Sequence, residues 1–333
     1  MPVKVAVVGA GSWGTAVACI AAAKSDTVLW ARRPELAERL RATGENGQYL
    51  PGLSLAPGLR CTSDLGDAVA DADVVVMAVP SHGFREVLSD ASTHVRRDVP
   101  VLSLSKGLEP STGKRMTQVV ADVLPGHPVG VLTGPTLANE VARGFPAASV
   151  VAIDDDDAGA ELQALFSTGS FRVYRNRDVT GCEIAGALKN VMVIAAGMAD
   201  GMGFGDNTRA ALITRGLAEL TRLGVALGGQ PLTFSGLAGM GDLVATCSSR
   251  QSRNRHVGEE LGRGRGIGDI VAEMSMVAEG VKTAGVVTEL AAVHGIEMPI
   301  AEQVAAVLAG VRTAREALPA LMERQAKPEL YGL

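Results

Sequence analysis

The first 24 residues confine this chain to a small set of folds. The apolar run Val3-Lys4-Val5-Ala6-Val7-Val8 leads straight into Gly9-Ala10-Gly11-Ser12-Trp13-Gly14, and an alanine-rich helical pattern, Thr15 to Lys24, follows. Strand, G-x-G-x-x-G and helix in that order can seat the pyrophosphate of a dinucleotide. Gly9 permits the tight turn, Gly11 lets the backbone approach the phosphates, and Gly14 lets helix pack close on strand. The helix start then points unpaired N–H groups and a positive dipole end at the anion. An ordinary strand-turn-helix of small residues has the same local pattern, so the remaining 309 residues must decide.

At about 150 residues per domain, a chain of 333 residues is expected to form two domains. Forty glycines and 3 % aromatics fit tight turns and small-residue packing rather than an aromatic platform for nucleic acid. The net charge of −5 argues against a general polyanion surface. Cys19, Cys61, Cys182 and Cys247 follow no metal-ligand spacing and read as free thiols of a reducing compartment. The five histidines are equally scattered, so no metal is expected. Ala16 to Ala23 superficially resembles the end of a signal peptide, but cleavage there would delete the opening strand. No run of about 18 apolar residues free of glycine breaks suggests a membrane span. A cytoplasmic protein is the expectation.

The first half alternates apolar runs with helical patterns. Strands are expected at Val3–Val8, Thr27–Trp30, Val74–Val79, Val101–Leu104, Val129–Leu132, Ala148–Ile153 and Phe171–Tyr174. Several lack polar alternation, as strands covered on both faces of a parallel, doubly wound α/β sheet do. Beyond Thr180 the strand signals stop, and helices are expected at Cys182–Ala199, Thr208–Leu227, Arg255–Leu261, Ile270–Met274, Glu279–His294, Ile300–Leu308 and Thr313–Met322. The reading is a dinucleotide-binding domain over residues 1–179 and an all-helical domain over 180–333 that carries substrate and catalysis. Asp154–Asp157 reads as a solvated turn and helix start.

Three places carry candidate chemistry. The second strand ends Trp30-Ala31-Arg32-Arg33, without the acid that holds a ribose 2′-hydroxyl in NAD-selective folds. Two guanidiniums can clasp a 2′-phosphate, which favours NADP and leaves NAD possible. Alternatively one arginine is merely exposed and the other stacks on adenine. Lys189 sits with Asn190 in a helix that is otherwise apolar or glycine from Ile184 to Met198. Burial there would lower its pKa toward working pH and suit proton exchange; the alternative is a lysine snorkelling to solvent. Glu183, seven residues before Asn190, could orient it. Gly236–Asp242 reads as a flexible turn delivering a carboxylate, ahead of Ser248-Ser249-Arg250-Gln251-Ser252-Arg253-Asn254-Arg255. Hydroxyls, an amide and guanidiniums suit a phosphate monoester. A basic helix start capped by Ser252 would read the same way, and spacing does not say which arginine faces a ligand.

Together these stretches resemble the bacterial NAD(P)-dependent sn-glycerol-3-phosphate dehydrogenases along essentially the whole chain. The matching segments are residues 7–16, Tyr49-Leu50-Pro51-Gly52, Ser105-Lys106-Gly107-Leu108-Glu109, Gly134–Val141, Ala187-Leu188-Lys189-Asn190-Val191, Gly201–Asn207, Gly236–Asn254 and Val277-Ala278-Glu279-Gly280-Val281. Thr136-Leu137 stands where a Ser-Phe pair is common, and Thr136 keeps the hydroxyl. The resemblance implies a Rossmann-like domain, then a helical domain similar to that of 6-phosphogluconate dehydrogenase. It implies reversible reduction of dihydroxyacetone phosphate for phospholipid synthesis. By position it makes Lys189 the proton donor and acceptor, with Lys106, Gly134, Thr136, Asp242, Ser252, Arg253 and Asn254 on the substrate. Gly9, Gly11 and Gly14 would take the pyrophosphate, and Ser12, Trp13, Arg32, Arg33, Tyr49, Lys106, Ala138, Arg253, Val277 and Glu279 would line the cofactor. A homodimer is expected, with neither nucleic acid nor membrane insertion. Two rival readings stand beside this one: a β-hydroxyacid dehydrogenase, whose carboxylate substrate needs no Ser-Arg-Asn cluster, and a regulator that only senses NAD(P)H.

Overall fold

The computed structural model describes residues 2–274, 278–326, 328 and 329. The chain divides into two compact units: residues 1–105 with 114–179, and residues 106–113 with 180–333. The short excursion Lys106–Gly113 into the second unit interrupts the contiguous division that the sequence suggests.

The first unit is built on eight strands: β1 (Lys4–Val8), β2 (Asp26–Trp30), β3 (Arg60–Thr62), β4 (Val74–Met77), β5 (Val101–Ser103), β6 (Val129–Thr133), β7 (Ala147–Ile153) and β8 (Phe171–Asn176). They form one sheet in the order β3-β2-β1-β4-β5-β6-β7-β8. Helices α1 (Ser12–Ala22), α2 (Pro34–Thr43), α3 (Leu65–Val69), α4 (Phe84–Ser92), α5 (Met116–Val123), α6 (Ala138–Ala142) and α7 (Asp156–Phe166) belong to this unit. Apolar side chains from both faces of the sheet fill two separate cores. That is why β1 and β4 read as unbroken apolar runs. All pairings are parallel except β6 with β7. The strand order reverses at β1, between β2 and β4. At such a switch point an open α/β sheet takes its ligands, at the carboxyl ends of the strands.

Two details differ from the sequence reading. Strand β3 was not expected, since Arg60-Cys61-Thr62 is three residues long, at a sheet edge, and only Cys61 is buried. Strand β7 runs antiparallel to β6, and hydrophobic patterning carries no information on direction. Asp155 caps α7, accepting from the backbone N–H of Ala158 at 2.9 Å, so the acid run is a helix start.

The second unit is helical: α8 (Val179–Gly201), α9 (Asp206–Ala226), α10 (Pro231–Phe234), α11 (Asp242–Ser248), α12 (Arg253–Gly262), α13 (Ile267–Glu273), α14 (Glu279–Val293), α15 (Pro299–Leu308) and α16 (Ala314–Met322). Helix α8 is long and apolar enough to cross a bilayer, yet its most apolar stretch is wholly buried in protein. It is a core helix. Four glycines let α12 press against it. A Cβ on Gly197 or Gly201 would lie 2.2 or 2.0 Å from a backbone oxygen of α12, and one on Gly258 or Gly262 would meet α8 as closely. With backbones in direct contact, the start of α12 is brought to the middle of α8. Gly236–Asp242 is not the flexible turn expected. Leu237–Gly241 is a π-helical turn feeding α11, packed so tightly that a Cβ on Gly239 would sit 2.1 Å from the Phe234 carbonyl oxygen.

Candidate active site

In the first unit, Gly9 adopts φ +125°, and a Cβ there would collide with the Ala78 carbonyl. Gly14 lies against the Gly9 carbonyl, so a Cβ would come within 2.0 Å of it. These two glycines are demanded by the protein's own backbone. A Cβ on Gly11, by contrast, would meet nothing within 4 Å. The space at Gly11 is open, and the N-terminus of α1 begins at its edge. Ser12 Oγ donates to the Tyr49 carbonyl at 2.8 Å. Trp13 packs edge-on against Phe171 at 6.1 Å, and its buried indole N–H has no partner among the described residues.

Arg32 and Arg33 are both exposed at the end of β2. Arg33 donates to Gln48 Oε1 at 2.6 Å and reaches the Tyr49 hydroxyl at 3.4 Å. Arg32 makes no hydrogen bond among the described residues. Gly134 follows β6 at φ +128°, and Thr136 Oγ1 donates to its carbonyl at 3.2 Å. Ala138 opens α6.

In the second unit one carboxylate gathers two amines. Lys189 Nζ donates to Asp242 Oδ1 at 2.9 Å and to Thr246 Oγ1 at 2.6 Å. Lys106 Nζ donates to the other oxygen, Asp242 Oδ2, at 2.8 Å. Lys189 is 4 % exposed and Asp242 is 2 % exposed, so Lys189 does not snorkel. Burial lowers its pKa to about 8; Asp242 opposes this and the neighbouring Lys106 charge reinforces it. Burial pushes the Asp242 carboxyl up, but the two ammonium groups outweigh it and hold the group below the usual carboxylate range.

Asn190 is oriented by Asn254 rather than by Glu183. Asn254 Nδ2 donates to Asn190 Oδ1 at 2.9 Å, and Asn190 Nδ2 donates to the Lys106 carbonyl at 2.8 Å. Asn254 Oδ1 accepts from the backbone N–H of Gly280 at 2.9 Å, which ties α8, α12 and α14 to the Lys106 segment. Ser252 does cap α12, accepting from the backbone N–H of Arg255 at 3.2 Å, and its O–H stays available to donate. Arg255 is committed to half-buried Asp200, with contacts of 2.8 and 2.7 Å. Arg253 makes no hydrogen bond or ion pair among the described residues. The residue is exposed at the start of α12, yet partial desolvation of its guanidinium holds its pKa below the ordinary arginine value, with the Glu279 charge opposing that shift. Val277 lies outside the described residues. Sequence reasoning missed Thr246, whose only signal is its i,i+4 spacing from Asp242.

A dinucleotide turn at a switch point, and in the helical unit two lysines on one buried aspartate, suit a nicotinamide-dependent oxidoreductase. Family models for the N-terminus and C-terminus of NAD-dependent glycerol-3-phosphate dehydrogenase match residues 4–159 and 178–319. The chain belongs to that family. It is 56 % identical over 331 residues to glycerol-3-phosphate dehydrogenase [NAD(P)+] 2 of Sphingopyxis alaskensis, covering 99 % of each chain. It is 51 % identical over 330 residues to the Mycobacterium avium enzyme, covering 99 % of this chain and 97 % of that one. The crystal structure of glycerol-3-phosphate dehydrogenase from Coxiella burnetii superposes with a TM-score of 0.93 at 36 % identity, over 97 % of this chain and 99 % of that one.

Proposed function

We propose that this protein catalyses the reversible reduction of dihydroxyacetone phosphate to sn-glycerol 3-phosphate, with NADPH preferred and NADH accepted, for phospholipid synthesis in the cytoplasm. The observation that carries the proposal is the Lys189 amine. It is desolvated, with its pKa brought to about 8, and is aimed by Asp242 and Thr246.

The first unit suits the dinucleotide. Its residues are Gly9, Gly11, Ser12, Trp13, Gly14, Arg32, Arg33, Tyr49 and Ala138. Open space at Gly11, the orphaned Trp13 N–H and an acid-free end of β2 all fit that group. Lys106, Arg253, Val277 and Glu279 are assigned to the same cofactor by family position. When bound, NADPH supplies the hydride for C2 of the ketone.

Negative charge then grows on the carbonyl oxygen, and Lys189 gives it a proton, while Lys106 adds electrostatic stabilisation. Asp242 holds both amines in place. Arg253 grips the phosphate with the Ser252 hydroxyl and the second amide hydrogen of Asn254, and that remote binding aligns the carbonyl. Gly134 and Thr136 are assigned to the substrate by resemblance. The helical unit exposes the apolar side chains Val225, Leu232, Met240 and Val244 on and around α9 to α11, which supports a homodimer.

The deciding experiment follows NADPH absorbance on adding dihydroxyacetone phosphate, with a β-keto acid, the oxidised substrate of a β-hydroxyacid dehydrogenase, as comparison. Oxidation of NADPH by the phosphate ester alone is expected; no oxidation would overturn the proposal. Cofactor choice has its own test. Arg33→Asp places an acid where a 2′-phosphate would sit, so the NADPH-to-NADH affinity ratio should fall by about tenfold or more. A ratio held at the wild-type value would remove Arg33 from that role.

A further inference from the structure

Asn46 lies in the loop after α2 and is entirely buried. Its side-chain nitrogen spends both hydrogens on the dinucleotide turn. It donates to the Ala10 carbonyl at 3.0 Å and to Thr15 Oγ1, in the first turn of α1, at 2.8 Å. The backbone closes around it: the N–H groups of Tyr49 and Leu50 both donate to the Asn46 carbonyl, at 3.1 and 2.7 Å. Ser12 ties the same loop back to the turn through the Tyr49 carbonyl. Meanwhile Asn46 Oδ1 is buried with no partner among the described residues.

An orphaned buried acceptor is costly, and a side chain present only to fill space would not carry one. The opposite amide orientation would set two oxygens against each other at Ala10, so the two donated bonds fix the side chain. Their consequence is geometric. The Ala10 carbonyl and the Gly11 N–H share one planar trans peptide and point in opposite directions. Holding the carbonyl therefore aims the N–H, at the one glycine of the turn whose surroundings are open.

Building on the cofactor reading above, we propose that Asn46 is a positioning residue for the dinucleotide. Its amide locks the Ala10–Gly11 peptide so that the Gly11 N–H faces the pyrophosphate before the ligand arrives. Gln48, two residues on, holds Arg33 by the 2.6 Å bond already described. One short loop thereby sets both the phosphate turn and the arginine at the far end of the same cofactor.

Asn46→Asp tests this, because it keeps the shape, removes both donors and turns an oxygen toward the Ala10 carbonyl. NADPH binding, read by nicotinamide fluorescence, should weaken by about tenfold or more, with the KM for NADPH rising in step. The KM for dihydroxyacetone phosphate should hold, and kcat should fall far less than the cofactor KM rises. Thermal melting is recorded alongside. A lower melting temperature with NADPH affinity within about twofold of wild type would mean that Asn46 only supports the fold, and would overturn the proposal. If Asn46→Asp does not fold, Thr15→Val decides. It deletes one acceptor at constant volume and should cost about threefold in NADPH affinity, and no change would overturn the proposal. Wild-type protein that fails to bind NADPH would instead sink the cofactor reading itself.

Discussion

Lys189→Ala is expected to lower turnover of dihydroxyacetone phosphate by about 10²–10⁴-fold, the usual worth of a positioned acid, or roughly 3–5 kcal/mol of barrier. NADPH affinity should stay near wild type, since the glycine turn and the arginine pair lie in the other compact unit. An ordinary surface lysine would hold its proton too tightly to give it up at neutral pH. Burial removes that reluctance, and Lys106, bound to the same carboxylate, adds a second positive charge that weakens it further. The pH dependence follows with a definite sign. Reduction consumes the protonated amine, so its rate should fall as pH rises through about 8. Oxidation of glycerol 3-phosphate needs the neutral amine and should rise over the same interval. Lys189→Arg keeps a charge beside Asp242 but does not titrate there, so it should lose both limbs along with activity. Near-wild-type turnover in Lys189→Ala, measured by NADPH absorbance, would take the amine out of the reaction.

This lysine was legible in the sequence because it breaks a long apolar run, and a helix that buries every face leaves a cation nowhere to go. The strands were legible for a related reason: those covered on both faces show no polar alternation. Information that resides in tertiary partners was not legible. A threonine in a helix is commonplace, so Thr246 stood out only once its hydroxyl was seen beneath the Lys189 amine. The turn at Gly236–Asp242 looked flexible by its glycines, yet Gly239 serves close packing against the Phe234 backbone. Lys106–Gly113 leaves its sequence neighbours for the helical unit, and no local propensity announces such an excursion. Asn46 gave no signal at all, because its partners lie 31 and 36 positions away.

The arginine cluster shows how a structure resolves what spacing leaves open. Arg253→Ala should raise the KM for dihydroxyacetone phosphate by about 10- to 100-fold, the range for losing one charge-assisted contact to a phosphate. Arg255→Ala should act differently. Its guanidinium is held by half-buried Asp200, which Arg209 also contacts at 2.8 Å, so its loss should lower the melting temperature and leave that KM nearly unchanged. A fall in kcat accompanying the Arg253→Ala change is also expected, because binding energy from the distant phosphate helps align the ketone. Dihydroxyacetone itself isolates the contribution. It lacks the phosphate, so at saturating NADPH wild type and Arg253→Ala should reduce it at similar, slow rates, although they differ widely on the phosphorylated substrate. If the substitution slows both substrates equally, Arg253 does not contact the phosphate and acts elsewhere, on the cofactor or on the fold. If it slows neither, the anchor must be sought among the neighbouring hydroxyls and amides, where Ser252 and Asn254 are already tied into helix α12 and its partners.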